Sequence, residues 1–361
     1  LSFLRHKNFT FSHFLKFSAS KMIVHINNIT DSIRKSWESF LNTHPNNTVF
    51  QSPVMYDFYN KVQNFEPFLF YAQDESGRCK GILLAVIIRE GRRLKGYLSS
   101  RVVIYGGPLV SPDDNNVLNL LLESLNQKLK YKSLFIQFRN FFEWTDDEKA
   151  VFSKYGYQFK DRINLLVKTD SISEVKRNMQ SGKTRQVMKS LSSGVTVSQP
   201  SSLADVQYLY QLLKNLYRNK VKKPLPTLSF FENFYHMSNA GRLGIMRIIK
   251  LNGKIIGGIV APVTNGEVIY EWYVVGLDKE YPKSYPSVLA TWIPIQYALD
   301  NNLKQFDFMG LGKKNIPYGV RDFKLGFGNG IVNYGRFGRR NKLVYPIVEF
   351  AYNFLRVIKK I

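Results

Sequence analysis

One order of elements occurs twice in this chain, and few folds accommodate it. In the first half PFLFYAQ is followed by DESGR, CKGILLAVIIRE, a second turn and LKGYLSSRVVIYGGPLV, then by NVLNLLLESLNQKLK and SLFIQF. In the second half LGIMRIIK, LNGK, IIGGIVAPV, TNGE and VIYEWYVVG precede SVLATWIPIQYALD and KQFDFM. Apolar runs separated by Gly and Asn turns predict strands joined by hairpins, and the amphipathic stretches predict helices. Each half therefore reads strand–turn–strand–turn–strand–helix–strand, with Gly81 and Gly257 at equivalent places just inside the second strand. Helical stretches precede both copies: TDSIRKSWESFL, with Thr30 or Asp31 as N-cap, before the first; SLADVQYLYQLLKNLYRN and LSFFENFYHMS, joined by KVKKPLPT, before the second. The repeat predicts an α/β (α+β) chain of two tandem domains, residues 22–165 and 166–343, each a mixed, mostly antiparallel sheet flanked by helices.

A length of 361 residues with 44% hydrophobic and 14% aromatic content supports two packed cores. Residues 1–21 are expected to lie outside the fold as a leader, with Met22 as a native start. The last segment, 344–361, reads as an amphipathic helix that packs back on the first domain or lies on a membrane surface. No apolar run reaches the roughly 18–20 residues needed to span a bilayer. With Cys79 the only cysteine, no internal disulfide is possible, which fits a cytoplasmic chain, peripheral at the inner face of the membrane if it meets one. Cys79 stands between Arg78 and Lys80, which would lower its pKa. The five histidines show no ligand spacing, so no metal is expected, and no Ser-His-Asp set, Walker loop or dinucleotide fingerprint is present. The net charge of +24 favours polyanionic partners: nucleic acid, anionic lipid or phosphorylated substrates.

Helices, an antiparallel meander, a helix and a closing strand is also the element order of the GCN5-related N-acyltransferase fold. Four stretches sharpen the likeness: NTVFQSPVMYDFY, YGGPLVSPDD, MQSGKTRQVMKSLSSGVTV and FDFMGLGKKNIPYGVRDFKLGFG. In this order they resemble the Fem-type aminoacyltransferases, over about residues 48–328. The resemblance implies transfer of an aminoacyl group from tRNA to an amine of a peptidoglycan precursor; a sister branch of the same layout uses acyl-CoA. Acyl-CoA enzymes carry a Gln/Arg-x-x-Gly-x-Gly/Ala loop whose N–H groups cradle pyrophosphate. The matching stretches here, VSPDDNNVLN and LDKEYPKSYPSVLA, lack those glycines, and Asp113 and Asp114 would repel a phosphate. Lys279 and Lys283 restore the case only in part. No cofactor is implied; the donor is aminoacyl-tRNA or acyl-CoA.

Within YGVRDFKLGFGNG, Val320–Phe327 read as extended puts Phe323, Leu325 and Phe327 on one face and Asp322, Lys324 and Gly326 on the other. Acyl transfer to an amine passes through a tetrahedral oxyanion, which a fixed ammonium stabilises. The resemblance assigns that role to Lys324, the alternative being a solvated lysine, and Phe323 beside it is expected to shape the acyl pocket. Asp307, Asp322 and Glu271 are candidates for the base, with Glu271 and Asp307 expected on neighbouring central strands; the alternative is an ion pair with Arg321 or a nearby lysine.

Arg185 stands with Lys183 and Lys189 in KTRQVMKS, and the resemblance makes it the anchor of the acceptor's diphosphate. Lys61 is a second phosphate candidate. Lys220, Lys222 and Lys223, and Arg336, Arg339, Arg340 and Lys342, form basic clusters suited to a tRNA acceptor arm or anionic lipid. Tyr334 and Phe337 interleave with the second cluster, as stacking platforms or as packing residues. The expected partners are aminoacyl-tRNA, a phosphorylated or lipid-linked envelope precursor and an anionic membrane surface. Two other activities fit the same residues: acyl-CoA-dependent acylation of a polysaccharide amino sugar, and non-catalytic binding of RNA or glycolipid.

Overall fold

The computed structural model describes residues 22–91, 93–112, 116–312, 319–341 and 345. The expected leader, Asp113, Asp114, Lys342 and all of the expected C-terminal helix except Tyr345 lie outside the described residues. The chain divides into two units. The first takes the described residues to Tyr56, Asn64–Phe159 and those from Phe337; the second takes Asp57–Gln63 and Lys160–Arg336.

The first unit opens with β1 (Ile23–Ile26), α1 (Asp31–Thr43) and α2 (Pro53–Lys61), whose turns from Asp57 belong to the second unit. There follow β2 (Phe65–Gln73), β3 (Cys79–Ile88), α3 (Arg93–Leu98), β4 (Arg101–Tyr105), β5 (Leu109–Val110), α4 (Val117–Leu129), β6 (Phe135–Arg139), α5 (Asp146–Lys154) and β7 (Gln158–Lys160). The second unit begins with β8 (Asn164–Lys168), α6 (Ile172–Asn178), α7 (Ser181–Leu191), β9 (Thr196–Ser198), α8 (Leu203–Leu216) and α9 (Leu228–Asn239). Its meander is β10 (Gly244–Leu251), β11 (Lys254–Thr264), β12 (Val268–Tyr270) and β13 (Tyr273–Gly276). Then come α10 (Pro286–Asp300), β14 (Gln305–Asp307), α11 (Gly319–Leu325) and β15 (Gly330–Val332), while β16 (Arg336–Arg340) returns to the first sheet.

The two sheets repeat one topology. The first runs β1-β2-β3-β4-β6-β16-β7 with β5 also beside β3, and the second runs β15-β8-β14-β12-β11-β10-β9 with β13 also beside β11. In each, the third meander strand is broken. Its first half pairs in parallel with the strand after the helix (β4 with β6, β12 with β14), and its second half (β5, β13) pairs with the middle meander strand alone. The gap between that second half and the following parallel strand exposes a strand edge inside the sheet.

Local chemistry explains the elements. Thr30 caps α1, its hydroxyl accepting the Ile33 N–H, and Ile33, Trp37 and Leu41 bury one helical stripe. Asn252 and Gly253 both adopt positive φ in the β10–β11 turn, as the Asn-Gly pair predicts. Gly81 and Gly257 do the same job in the two copies. An added Cβ would meet Val117 of α4 at 2.5 Å, or the Val275 carbonyl at 2.8 Å and Pro286 of α10 at 3.4 Å. Gly276 is tighter, its Cβ position being 2.2 Å from the Ser287 amide. Gly276→Ala must push the start of α10 off β13, so its denaturation midpoint is expected to correspond to a loss of about 1–3 kcal/mol; an unchanged midpoint contradicts that packing.

Three sequence expectations fail, the first being VIYEWYVVG as one strand, which breaks into β12 and β13. LKGYLSSRVVIYGGPLV is not one strand, because Arg93–Leu98 forms α3 before β4 begins. Val320–Phe327 is not extended either: Gly319–Leu325 is helical. Phe323, Leu325 and Phe327 nonetheless all pack on the core, Phe327 from just beyond the helix end, while Val320 is exposed. The Phe323 and Phe327 rings lie 5.5 Å apart.

Candidate active site

The site begins where β12 ends. Tyr270 pairs with Asp307 of β14, the Glu271 amide donates to the Asp307 carbonyl at 2.9 Å, and the Trp272 amide then turns to the Val260 carbonyl of β11. Glu271 is thus the last residue before the sheet opens. Its side chain is 3% exposed; Thr291 of α10 donates to Oε2 at 3.3 Å, and Lys324 Nζ lies 2.8 Å from Oε1.

Lys324 reaches this carboxylate from α11. Its Nζ also donates to the Phe308 carbonyl at 2.8 Å and to the Gly310 carbonyl at 3.3 Å, and sits 5.1 Å from the centre of the Phe308 ring. The three N–H bonds of the ammonium are therefore all engaged, the Gly310 contact least tightly. Those carbonyls converge because the chain after β14 curls through positive φ at Met309 and Gly310. For Met309 this is a strained conformation, and the Asp307 carboxylate holds it by accepting the Met309 amide.

Asp307 is 2% exposed. Its Oδ1 accepts from Met309 N and, at 2.7 Å, from Asn164 Nδ2 of β8, while Oδ2 has no hydrogen-bond partner among the described residues. Burial pushes the Asp307 pKa up to about 6; the Asn164 and Met309 hydrogen bonds and Lys324 pull it down, and Glu271 adds to the rise. Two carboxylates and one ammonium thus share a buried patch at the mouth of the sheet gap, a group set able to accept a proton and to oppose a developing negative charge.

Phe323 is half-buried beside this group and carries Lys183 over its face, Nζ at 4.2 Å from the ring centre. Burial lowers the pKa of Lys183, and the Asp278 carboxylate works against that. Arg185 and Lys189 point outward from α7 and are exposed, as are Lys61, Lys222 and Lys223. Of the other basic cluster, Arg339 donates to the Tyr155 carbonyl and stacks on Tyr157, Arg340 lies 4.5 Å from the Tyr345 ring, and Arg336 is half-buried. Phe337 is fully buried against Phe152, rings 4.0 Å apart, so it is a core residue and no stacking platform. Cys79 corrects another expectation: burial pushes its thiol up to about 12, overriding its basic neighbours, and leaves it a protonated, unreactive group.

The first unit repeats the frame without the chemistry. Tyr105 pairs with Arg139, and Gly106 N donates to the Arg139 carbonyl at 2.9 Å, so Gly106 stands where the second unit has Glu271 and Arg139 where it has Asp307. Gln51 ties β3 to the end of β4 there, accepting from Leu84 N at 2.7 Å and donating to the Tyr105 carbonyl at 2.8 Å.

Comparison with known proteins agrees with this topology. Residues 177–325 match a family model described as an acetyltransferase (GNAT) domain. The crystal structure of FemX superposes with a TM-score of 0.67 at 16% identity, covering 90% of this chain and 100% of that one. The chain has the tandem GNAT fold. L-PGS from Bacillus licheniformis (TM-score 0.54, 18% identity, 87% of this chain and 93% of that) shares it. So does a tandem GNAT protein of the clavulanic acid biosynthesis pathway (0.53, 11% identity, 88% and 98%). No curated protein sequence matches the chain significantly. The expected fold class is borne out, and the GNAT match covers α7, the broken strand, α10, β14 and α11, the elements that build the site.

Sequence reasoning missed Asn164, Thr291 and the Phe308–Gly310 carbonyl turn. Asn164 carried a signal, as a polar residue opening the apolar strand INLLV. Among the described residues no helix is long and apolar enough to cross a membrane.

Proposed function

We propose that the second unit is an N-acyltransferase of the Fem type, moving an aminoacyl group from tRNA to an amine of a cell-envelope precursor such as a peptidoglycan intermediate. The observation that carries this reading is the Lys324–Glu271 pair at the point where β12 and β13 leave β14 open. The donor's ester carbonyl enters the gap. The acceptor nitrogen attacks it, a C–N bond forms, and the carbonyl electrons move to oxygen. Lys324 exchanges its long bond to the Gly310 carbonyl for the new oxyanion, a contact that exists only once the charge has formed. Asp307 Oδ2 takes the proton released by the attacking nitrogen. Collapse of the intermediate breaks the C–O bond to the ribose, and the leaving oxygen takes a proton in turn. Phe323 walls the acyl group, and Arg185 and Lys189, four residues apart on the exposed face of α7, hold a phosphate of the acceptor.

An aminoacyl donor is favoured over acyl-CoA by the glycine-free β13–α10 loop and by the likeness to FemX and L-PGS. The alternative, acyl-CoA-dependent acylation of an amino sugar, uses the same carboxylates and ammonium. Incubation with charged tRNA and, separately, with acyl-CoA, in the presence of an amine acceptor, distinguishes them by which donor is consumed. Loss of the tRNA ester supports the proposal. Consumption of acyl-CoA alone gives the alternative, and consumption of neither favours an RNA- or glycolipid-binding protein. The Glu271→Gln variant is expected to lower the rate about 10–100-fold, because Lys324 loses the partner that aims it.

A further inference from the structure

A pyrophosphate entering the second unit would find its backbone donors at a helix N-terminus, and α10 offers the one beside the acyl gap. A long helix pointing its first amides at the end of a strand that lines the acyl gap offers N–H donors and a positive dipole end. α10 has fifteen residues and begins where β13 ends, with the Gly276 backbone pressed against Ser287. Pro286 at the first position has no N–H, so Ser287 supplies the first free amide. That amide is already taken: it donates to Asp278 Oδ1 at 3.0 Å.

The surroundings make this carboxylate the odd member. Lys279 and Lys283 lie in the same exposed loop, and Lys183 of α7 is close enough to feel the Asp278 charge. Glu280 is the loop's other acid. Without Asp278, the first free amide of α10 would have no acceptor among the described residues, at the end of a loop carrying two lysines and one glutamate.

The geometry points to Asp278 as a specificity residue: an internal anion that occupies the phosphate position and keeps pyrophosphate-bearing donors such as acyl-CoA out of the second unit. The assignment rests on reading that unit as the donor-binding one. Two effects act together. A carboxylate repels the incoming diphosphate, and it holds the amide that the diphosphate would need. A donor whose leaving group is a ribose hydroxyl bears no pyrophosphate beside its ester, so the plug costs it nothing at this position.

The test reads binding rather than transfer, which separates it from the fate of the proposed reaction. Coenzyme A and inorganic pyrophosphate are titrated by calorimetry into the full-length protein, into Asp278→Ala and into Asp278→Asn. Asp278→Ala removes both charge and acceptor and is expected to bind coenzyme A about tenfold or more tightly than wild type, pyrophosphate following the same order. Asp278→Asn keeps a cap for Ser287 and so preserves the start of α10; it should gain only part of that affinity, about two- to fivefold, by losing the repulsion. Circular dichroism of each variant verifies the fold. Equal coenzyme A affinity in wild type and both folded variants overturns the assignment. So does tight coenzyme A binding by the wild type. If instead the tRNA ester proves not to be the donor while Asp278→Ala still gains affinity, the proposed reaction fails and the role of Asp278 stands.

Discussion

Lys324→Ala is expected to reduce the transfer rate about 100- to 1,000-fold, the range seen when a single oxyanion donor is removed from a preorganised site. It is also expected to lose roughly 3–5 kcal/mol of stability, since it strands Glu271, 3% exposed, without its counter-ion. The two effects are separable. Lys324→Met combined with Glu271→Gln removes both charges together, keeps the bulk of each side chain and leaves Thr291 a partner. This double variant should recover most of the stability lost by Lys324→Ala while staying as inactive. Chemical denaturation and single-turnover rates on the same preparations check both halves. A single Lys324 variant that is folded, stable and active would show that the ammonium serves only to hold the Phe308–Gly310 turn.

The second large effect concerns Asp307. Its folded pKa, about 6, stands above the ordinary aspartate value of 3.8 because burial penalises the charge. A carboxyl raised in the native state stabilises the fold fully below its unfolded pKa, and the contribution disappears as pH rises through its folded pKa. Wild-type stability therefore carries a component that falls between about pH 4 and pH 6, of order 3 kcal/mol for a shift of about two units. Asp307→Asn retains an oxygen for Asn164 and Met309 but cannot ionise, so it should be more stable than wild type at pH 7.5 and lose that advantage at pH 4. The same substitution removes the proposed proton acceptor, and the transfer rate should fall about 100-fold or more. In the wild type the rate should rise with pH through about 6 and then level. Equal stabilities at both pH values would mean that Asp307 is solvated more than its burial indicates, and an unaltered rate would move the base elsewhere.

The repeat was legible because hairpins with Asn-Gly turns and an amphipathic helix leave strong local signals, and both copies carry them. The break between β12 and β13 was not. VIYEWYVVG reads as one continuous strand, since nothing in its alternation says that Glu271 leaves β14 while Tyr273 stays with β11. α11 hides for a related reason: Phe323, Leu325 and Phe327 satisfy a period of two and all three do pack on the core, although Gly319–Leu325 is helical. The identities of Lys324, Glu271 and Asp307 as candidates came from chemistry and from resemblance. Their convergence came from tertiary structure: three segments separated by up to 53 residues meet only because β12 and β14 run parallel. Asn164 lies farther still along the chain from Asp307, and no local pattern announces such a pair.

The two copies differ at the positions that matter to the proposed chemistry. Gly106 and Arg139 occupy the backbone positions of Glu271 and Asp307, and Gln51 ties the paired strands β3 and β4 together where β4 ends. The first unit thus keeps the frame and not the acids.

The most direct measurement is a rapid-quench single turnover with charged tRNA and an amine acceptor, comparing wild type with the charge-neutral pair Lys324→Met and Glu271→Gln at matched folded fraction. The account predicts ester aminolysis by the wild type and a rate at least 100-fold lower in the double variant. Equal rates in the two proteins would contradict it, because the chemistry would then need neither the ammonium nor its carboxylate.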